Sequence, residues 1–429
     1  MYYFYHKKRI IFILFSLLFC TLLSTRVLYA DLIASYTLQN QAICSNNKLI
    51  VISSGQIPVL LGADIEHVSL FKQSADRWQQ LLFQVDQKDS QGRYLLKKNF
   101  PKERENHYFS NKDELVFRAK DLGDQLKMTS AVLNNHSLIE LKIITDNKEV
   151  IGWLYIELNS KDRNLRIRKN NLLIYDAEQD SIHSSIYKIG FSKKHPFLLE
   201  QFHWRLDKSN AWSPDLADTM KIRHKGNFLG LPFQRTQDDY ISELTAVKKG
   251  SLRIIRRTKN HLKVLWQLKT PALYIDYVIT EYGFVMDSMI DIPFDLSYFF
   301  SNLSTITTMD WNQASPPQNF IIQATKQYPE ISINGIPSDD KRKFNLITGH
   351  YFSLSDTMGH VNVMLDIPED FPIQSKLYLR DDVNEVDLPE NDLGQYGNIG
   401  FNTTGWERIA SKLYHLKFTV CVATKSLYY

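Results

Sequence analysis

Residues 201–228, QFHWRLDKSNAWSPDLADTMKIRHKGNF, gather His203, Arg205, Arg223 and His224 around Trp204 and Trp212, with Asp207 and Asp215 among them. Indole rings give a large flat apolar surface on which a sugar can stack, and guanidinium and carboxylate groups pair with hydroxyls and acids. In a lyase acting on uronic acids, Arg or His would neutralise the carboxylate and His or Tyr would act as base. The same residues also suit a plain connection between two β units, with Trp in the core and the charges in solvent. His203, Trp204, Arg205, Trp212, Arg223 and His224 are therefore the candidate ligand-binding set.

A second group is acidic. Asp86 and Asp89 lie in VDQKDSQG, and Asp113 and Glu114 open NKDELVFRAKDLGD. Calcium takes several oxygen ligands from loops that a glycine allows to turn, so four carboxylates on two meeting loops could hold a structural Ca2+. The EF-hand order is absent. Ordinary turns account for the same pattern, with Asp accepting from backbone N–H groups and Gly92 supplying a positive φ. No other cofactor is called for.

Other chemistry is thinly represented. H-E-x-x-H, C-x-x-C, G-x-S-x-G and both glycine-rich phosphate loops are missing, which argues against zinc hydrolysis, α/β-hydrolases and nucleotide enzymes. His350 and His360, with Asp356 between them, have only a loose metal-like spacing. Asp238, Asp239 and Glu243 could form a glycosidase pair, but that reading depends on their separation in space.

The N-terminus points to export. Lys7, Lys8 and Arg9 precede an apolar run from Ile10 to Leu23, and STRVLYA leads to Asp31. This is the layout of a signal peptide cut after Ala30. An uncleaved anchor is the alternative, although the run is shorter than the roughly 20 residues a spanning helix needs. The leader also explains the charge: the chain has 51 basic and 47 acidic residues, and Lys7, Lys8, Arg9 and Arg26 account for the excess. The remainder is neutral and gives no footprint for nucleic acid. Even the basic stretch at residues 163–169 alternates charge with Leu165 and Ile167, as on a solvated strand. No later segment reaches membrane-spanning length. Cys44 and Cys421 are left after the leader, and in an oxidising compartment they could form a disulfide.

These residues must be positioned by strands. Period-two alternation runs through SLIELKIITDNKEVIGWLYIEL, LYIDYVITEYGFVMDSMIDI and YHLKFTVCVA. SLRIIRRTKNHLKVLWQLKT reads as a further hairpin turning at TKN, while DLADTMKIR and GWERIASKL are the best helical segments. The long polar segment at residues 380–406 reads as an exposed loop, with a cation-binding or ligand-covering loop as the alternative. The expected fold is all-β: large antiparallel sandwiches with few short helices. A soft boundary near residues 123–135 divides it into residues 31–127 and 128–429. The expected function is that of an exported protein, periplasmic or extracellular, that binds a glycan or another cell-envelope component without catalysis. A polysaccharide lyase or glycoside hydrolase, and an accessory subunit of an exported assembly, are the alternatives.

Overall fold

The computed structural model describes residues 34–38, 49–75, 77–96, 107–126, 138–145, 148–158, 172–206, 211–265, 268–312, 320–325, 327–386 and 394–424. The expected signal peptide, Cys44 and residues 163–169 lie outside them. Among the described residues the chain is almost entirely β, with a single α-helix, Asp339–Phe344, and several 3-10 turns. No described helix is long and apolar enough to cross a membrane.

An N-terminal module is built from two sheets. One joins Leu49–Ser53, Glu114–Arg118 and Phe83–Asp86; the other has five strands, including Ser69–Ser74 and the hairpin Leu138–Thr145/Val150–Glu157. Ile52, Leu70, Leu115, Leu141, Leu154 and Ile156 form its core. The hairpin therefore shares a sheet with Ser69–Ser74. The polar segment before the hairpin looked like a linker, yet the alternating face of Leu141 and Leu154 is buried on the N-terminal side.

The rest is a sandwich. One sheet runs Leu231–Thr236, Ala217–Phe228, Phe300–Trp311, Gln395–Thr404, Gln374–Asp382. The longer one runs Tyr240–Lys249, Arg253–Leu265, Leu273–Thr280, Gly283–Asp291, Leu413–Thr424, Gly359–Asp366, Tyr351–Ser355, and then two short strands. Neighbours in both are antiparallel. Ile222, Ile254, Tyr277, Phe401 and Leu416 fill the space between them, joined by Tyr187, Phe202 and Trp204 from a small four-stranded sheet. Cys421 is buried on Leu413–Thr424 and disulfide-bonded.

Local readings differ in three places. Thr258, Lys259 and Asn260 make no turn; they continue the 13-residue strand Arg253–Leu265. The segment read as helical from Asp215 is the strand Ala217–Phe228, and GWERIASKL contributes only the 3-10 turn Trp406–Arg408. Of the polar run, residues 387–393 lie outside the described residues, Gln395–Thr404 is a strand, and Asp381 is buried, accepting from the N–H groups of Asn334, Gly335 and Gly397 and paired with Lys341.

The module and the long sheet meet through Gln84. Its side-chain oxygen accepts from the N–H groups of Leu252 and Arg253 at 3.0 Å each, and its amide donates to Asp86. The approach is so close that a Cβ on Gly250 would lie 2.1 Å from Gln84 Oε1.

Candidate functional site

The six candidate ligand residues do not converge. Along the strand Leu199–Trp204 successive side chains point to opposite faces, so His203 and Trp204 part company. Trp204 is wholly buried, its indole N–H donating to Asp356 Oδ2 at 3.1 Å. Arg223 and His224 separate in the same way. Arg223 is buried on the outer face of its sheet, donating to Thr308 Oγ1 and lying over the Tyr378 ring. His224 points between the sheets. His203, Arg205 and Trp212 do come together at the edge of the small sheet. Arg205 stacks over Trp212 at 4.6 Å, His183 meets that indole edge-on at 5.6 Å, and His203 Nδ1 bonds the Ser213 carbonyl.

The four acidic residues already have protein partners. Asp89 accepts from the N–H groups of Gln91 and Arg93, and Asp113 from those of Lys88 and Ser110. Asp86 pairs with Arg253 and, at 3.3 Å, with Lys248; Glu114 pairs with Arg253 and Lys88. Burial opposes ionisation of Glu114, but Arg253 and Lys88 overcome it and hold the carboxyl below its ordinary range. Asp89 and Asp113 thus cap two turns, while Asp86 and Glu114 form an ion-pair clamp on Arg253. No described group of three or more His, Cys, Asp or Glu residues is arranged to hold a metal.

The principal concavity lies elsewhere. At one end the two sandwich sheets separate around a cavity of about 820 Å³. Ile222, Phe228, Phe233 and Leu303 wall it from one sheet, and Val264, Ile275, Ile290 and Leu416 from the other. A smaller void of about 110 Å³ lies deeper and shares Met286, Thr307, Phe401 and Phe418 as walls. The opening is bordered by Leu229, Leu265, Leu268, Phe294 and Phe299, all exposed. Two contacts fix the flanks: Arg235 donates to the Lys263 and Val264 carbonyls across the sheet edges, and Leu229 N–H donates to Phe299 O at 2.8 Å.

Polar groups in the wall are largely engaged with one another. His224 bonds Thr305 Oγ1 through Nδ1 and the Tyr240 hydroxyl through Nε2, each at 2.9 Å. Thr403 donates to the Thr305 carbonyl and accepts from the Trp406 indole. Burial pushes His224 down to about 4, so it is neutral at physiological pH, and burial raises the Tyr240 hydroxyl. Between pH 6.5 and about 4 the unfolded chain takes a proton on His224 that the folded chain refuses. Stability therefore falls with pH across that window, by roughly 3 kcal/mol at most from this group. His183, His195 and His360, also lowered by burial, add with the same sign. Urea unfolding at the two ends of the window is expected to show this slope, and a His224→Gln variant to lose its share; equal slopes would remove His224 as the cause.

Sequence reasoning passed over the cavity because each wall residue, taken alone, reads as ordinary core. The usable signal lay in the connections. FLGLPF, LWQLK and IPFDLSYFF place large apolar residues where turns are normally polar.

The class defined by this architecture is an all-β antiparallel sandwich with a large apolar cavity at one end. No family model matches the chain, and no curated protein matches it. Among solved structures it is similar to an alpha-mannosidase from Enterococcus faecalis V583, at 8% identity and TM-score 0.40, over 89% of this chain and 42% of that one. It is also similar to a glycosyl hydrolase family 38 protein from Enterococcus faecalis, at 7% identity and TM-score 0.42, over 89% and 43%. The chain spans under half the length of either, and likeness at that level carries no argument about activity.

Proposed function

We propose that this chain is an exported, non-catalytic binding protein for an amphipathic cell-envelope component, one with a lipid-like apolar body and a polar head. The cavity carries this reading. Folded interiors keep few voids larger than a water molecule, because an unfilled wall forgoes its dispersion contacts. A volume of about 820 Å³ falls within the roughly 300–1,000 Å³ usual for ligand sites. Its walls suit a hydrocarbon better than a sugar, since His224, Tyr240, Thr305 and Thr403 already bond within the protein. A charged head would be costly beside neutral His224 and favourable at the mouth, where Lys269 stands.

A second reading keeps a glycan as ligand. It rests on the edge of the small sheet, where Arg205 stacked on Trp212 leaves a cation and an indole beside His183 and His203. That surface could serve binding or, in a polysaccharide-processing enzyme, catalysis.

One set of measurements separates them. The purified chain, titrated with a fluorescent fatty acid such as parinaric acid, is expected to show saturable binding to one site. Ala272→Trp, at the cavity wall, is expected to weaken it by at least about tenfold, the equivalent of roughly 1.4 kcal/mol. Incubation with a panel of polysaccharides is expected to release no oligosaccharides. Absence of fatty-acid binding would overturn the proposal, and released products lost on Trp212→Ala would install the enzyme reading.

A further inference from the structure

Resting on the cavity reading, we propose that the cavity mouth is a docking surface for an anionic lipid bilayer, from which the ligand enters. Three connections meet there, and each presents apolar side chains to solvent: Leu229 and Leu231, then Leu265 and Leu268, then Tyr298 and Phe299. Single exposed apolar residues need no explanation, but a contiguous set around an opening does. Leu231 and Tyr298 are the most outward, at 70% and 72% exposed.

The turn at Leu229 and Gly230 adds an independent observation. Both residues have positive φ, 51° and 81°. Two-residue hairpin turns of this kind favour Asn, Asp or Gly at both positions. A leucine held in the left-handed region is unfavourable locally, and its side chain stands at the cavity mouth, where contact with an apolar phase offsets that cost.

The hairpin of Leu265 and Leu268 identifies the phase. Lys263 lies directly opposite Lys269 in the register, one step behind the paired Leu265 and Leu268. Like charges across a strand pair repel. Both lysines are exposed, and neither forms an ion pair with a described residue. Among the described residues of this hairpin the leucines lie nearer the tip, with Lys263 two residues behind Leu265, roughly 7 Å at strand rise, and Lys269 one residue behind Leu268. That depth fits a segment whose apolar face sits about 5–10 Å into the headgroup–acyl boundary. Lysines at headgroup level favour anionic lipids, and the aromatic pair of Tyr298 and Phe299 suits the same interface.

The test is co-sedimentation of the full chain with vesicles of phosphatidylcholine alone or mixed with phosphatidylglycerol, with parinaric acid uptake from solution measured in parallel. The wild type is expected to bind the mixed vesicles more strongly, and to lose that preference at high salt. Leu231→Asp combined with Tyr298→Asp, neither in the cavity wall, is expected to lower vesicle binding by at least about tenfold while uptake from solution is unchanged. Lys263→Glu is expected to abolish the anionic preference alone, which guards against misfolding of the double variant. Wild-type chain that takes up fatty acid yet ignores both vesicles would overturn the docking surface and leave the cavity reading standing. Vesicle binding without uptake would overturn the cavity reading instead. Sedimentation as a dimer that Leu231→Asp dissolves would assign the rim to a second copy and overturn the proposal.

Discussion

Asp86→Ala is expected to split thermal unfolding into two transitions, the earlier belonging to the N-terminal module. In the native chain Asp86 is fully buried and accepts from Gln84 at 2.9 Å, and it pairs with Arg253 and Lys248 of the long sheet. Arg253 is itself buried and keeps Glu114 as its other partner. Removing one member of a buried pair leaves its counter-charge desolvated and costs about 3–5 kcal/mol. The module has its own core, with Ile52, Leu70 and Leu154, so it can unfold as a unit once the clamp is cut. For a module of that size the loss corresponds to a midpoint roughly 10–20 °C lower. Calorimetry checks this, and a single transition moved by only a degree or two would show that Gln84 alone holds the interface. Acid acts on the same clamp. Glu114 is held below its ordinary value of 4.5, so its contribution is complete above that pH and is lost as pH falls below it.

The clamp also shows what could be read before the fold was known. Alternation correctly marked Gly283–Asp291 and Leu413–Thr424, because each presents one apolar face to the sandwich core. It failed where both faces are buried. On Ala217–Phe228 the residues from Met220 to Arg223 are buried on either side, and the register shifts between Ala217 and Met220, so no period of two survives. On Arg253–Leu265 the polar Thr258 and Asn260 suggested a turn, yet they hydrogen-bond each other inside the sheet. Tertiary burial overrode turn composition there.

The candidate site was less legible than the fold, for a related reason. Clustering in sequence suggested clustering in space, but on strands adjacent residues diverge, so Trp204 entered the core while His203 stayed at an edge. Asp86 and Glu114 meet around Arg253, which lies well over a hundred positions away and gave no local sign of its role. A cavity is an absence of atoms between sheets, and no residue type encodes it. Only the leucines in the turns betrayed where it opens.

Arg257→Ala is the second large effect, expected to destabilise the chain by about 3–5 kcal/mol. Arg257 and Asp276 are directly paired in register and both buried, joined by two bonds of 2.6 Å, Nε to Oδ1 and Nη2 to Oδ2. Burial raises the Asp276 carboxyl, the guanidinium opposes the rise, and Asp287 on the next strand reinforces it. Without Arg257 the raised value climbs further. The penalty is then full above the new folded value and relieved as pH falls through it, because the unfolded group titrates near 3.8. The deficit against wild type should therefore shrink in acid, the opposite sign to the Glu114 effect. Arg257→Leu combined with Asp276→Leu removes both charges, and is expected to recover most of the loss, since well-packed apolar replacements of buried pairs are often neutral or better. Urea unfolding of the single and double variants reads this directly, and a single-variant loss below about 1 kcal/mol would place the pair with surface bridges. The row of Arg257, Asp276 and Asp287 lies on the face of the long sheet opposite Ile275, Met286 and Ser288, which line the cavity. The double variant should accordingly bind parinaric acid as the wild type does, so that stability and ligand uptake are changed by separate faces of the same strands.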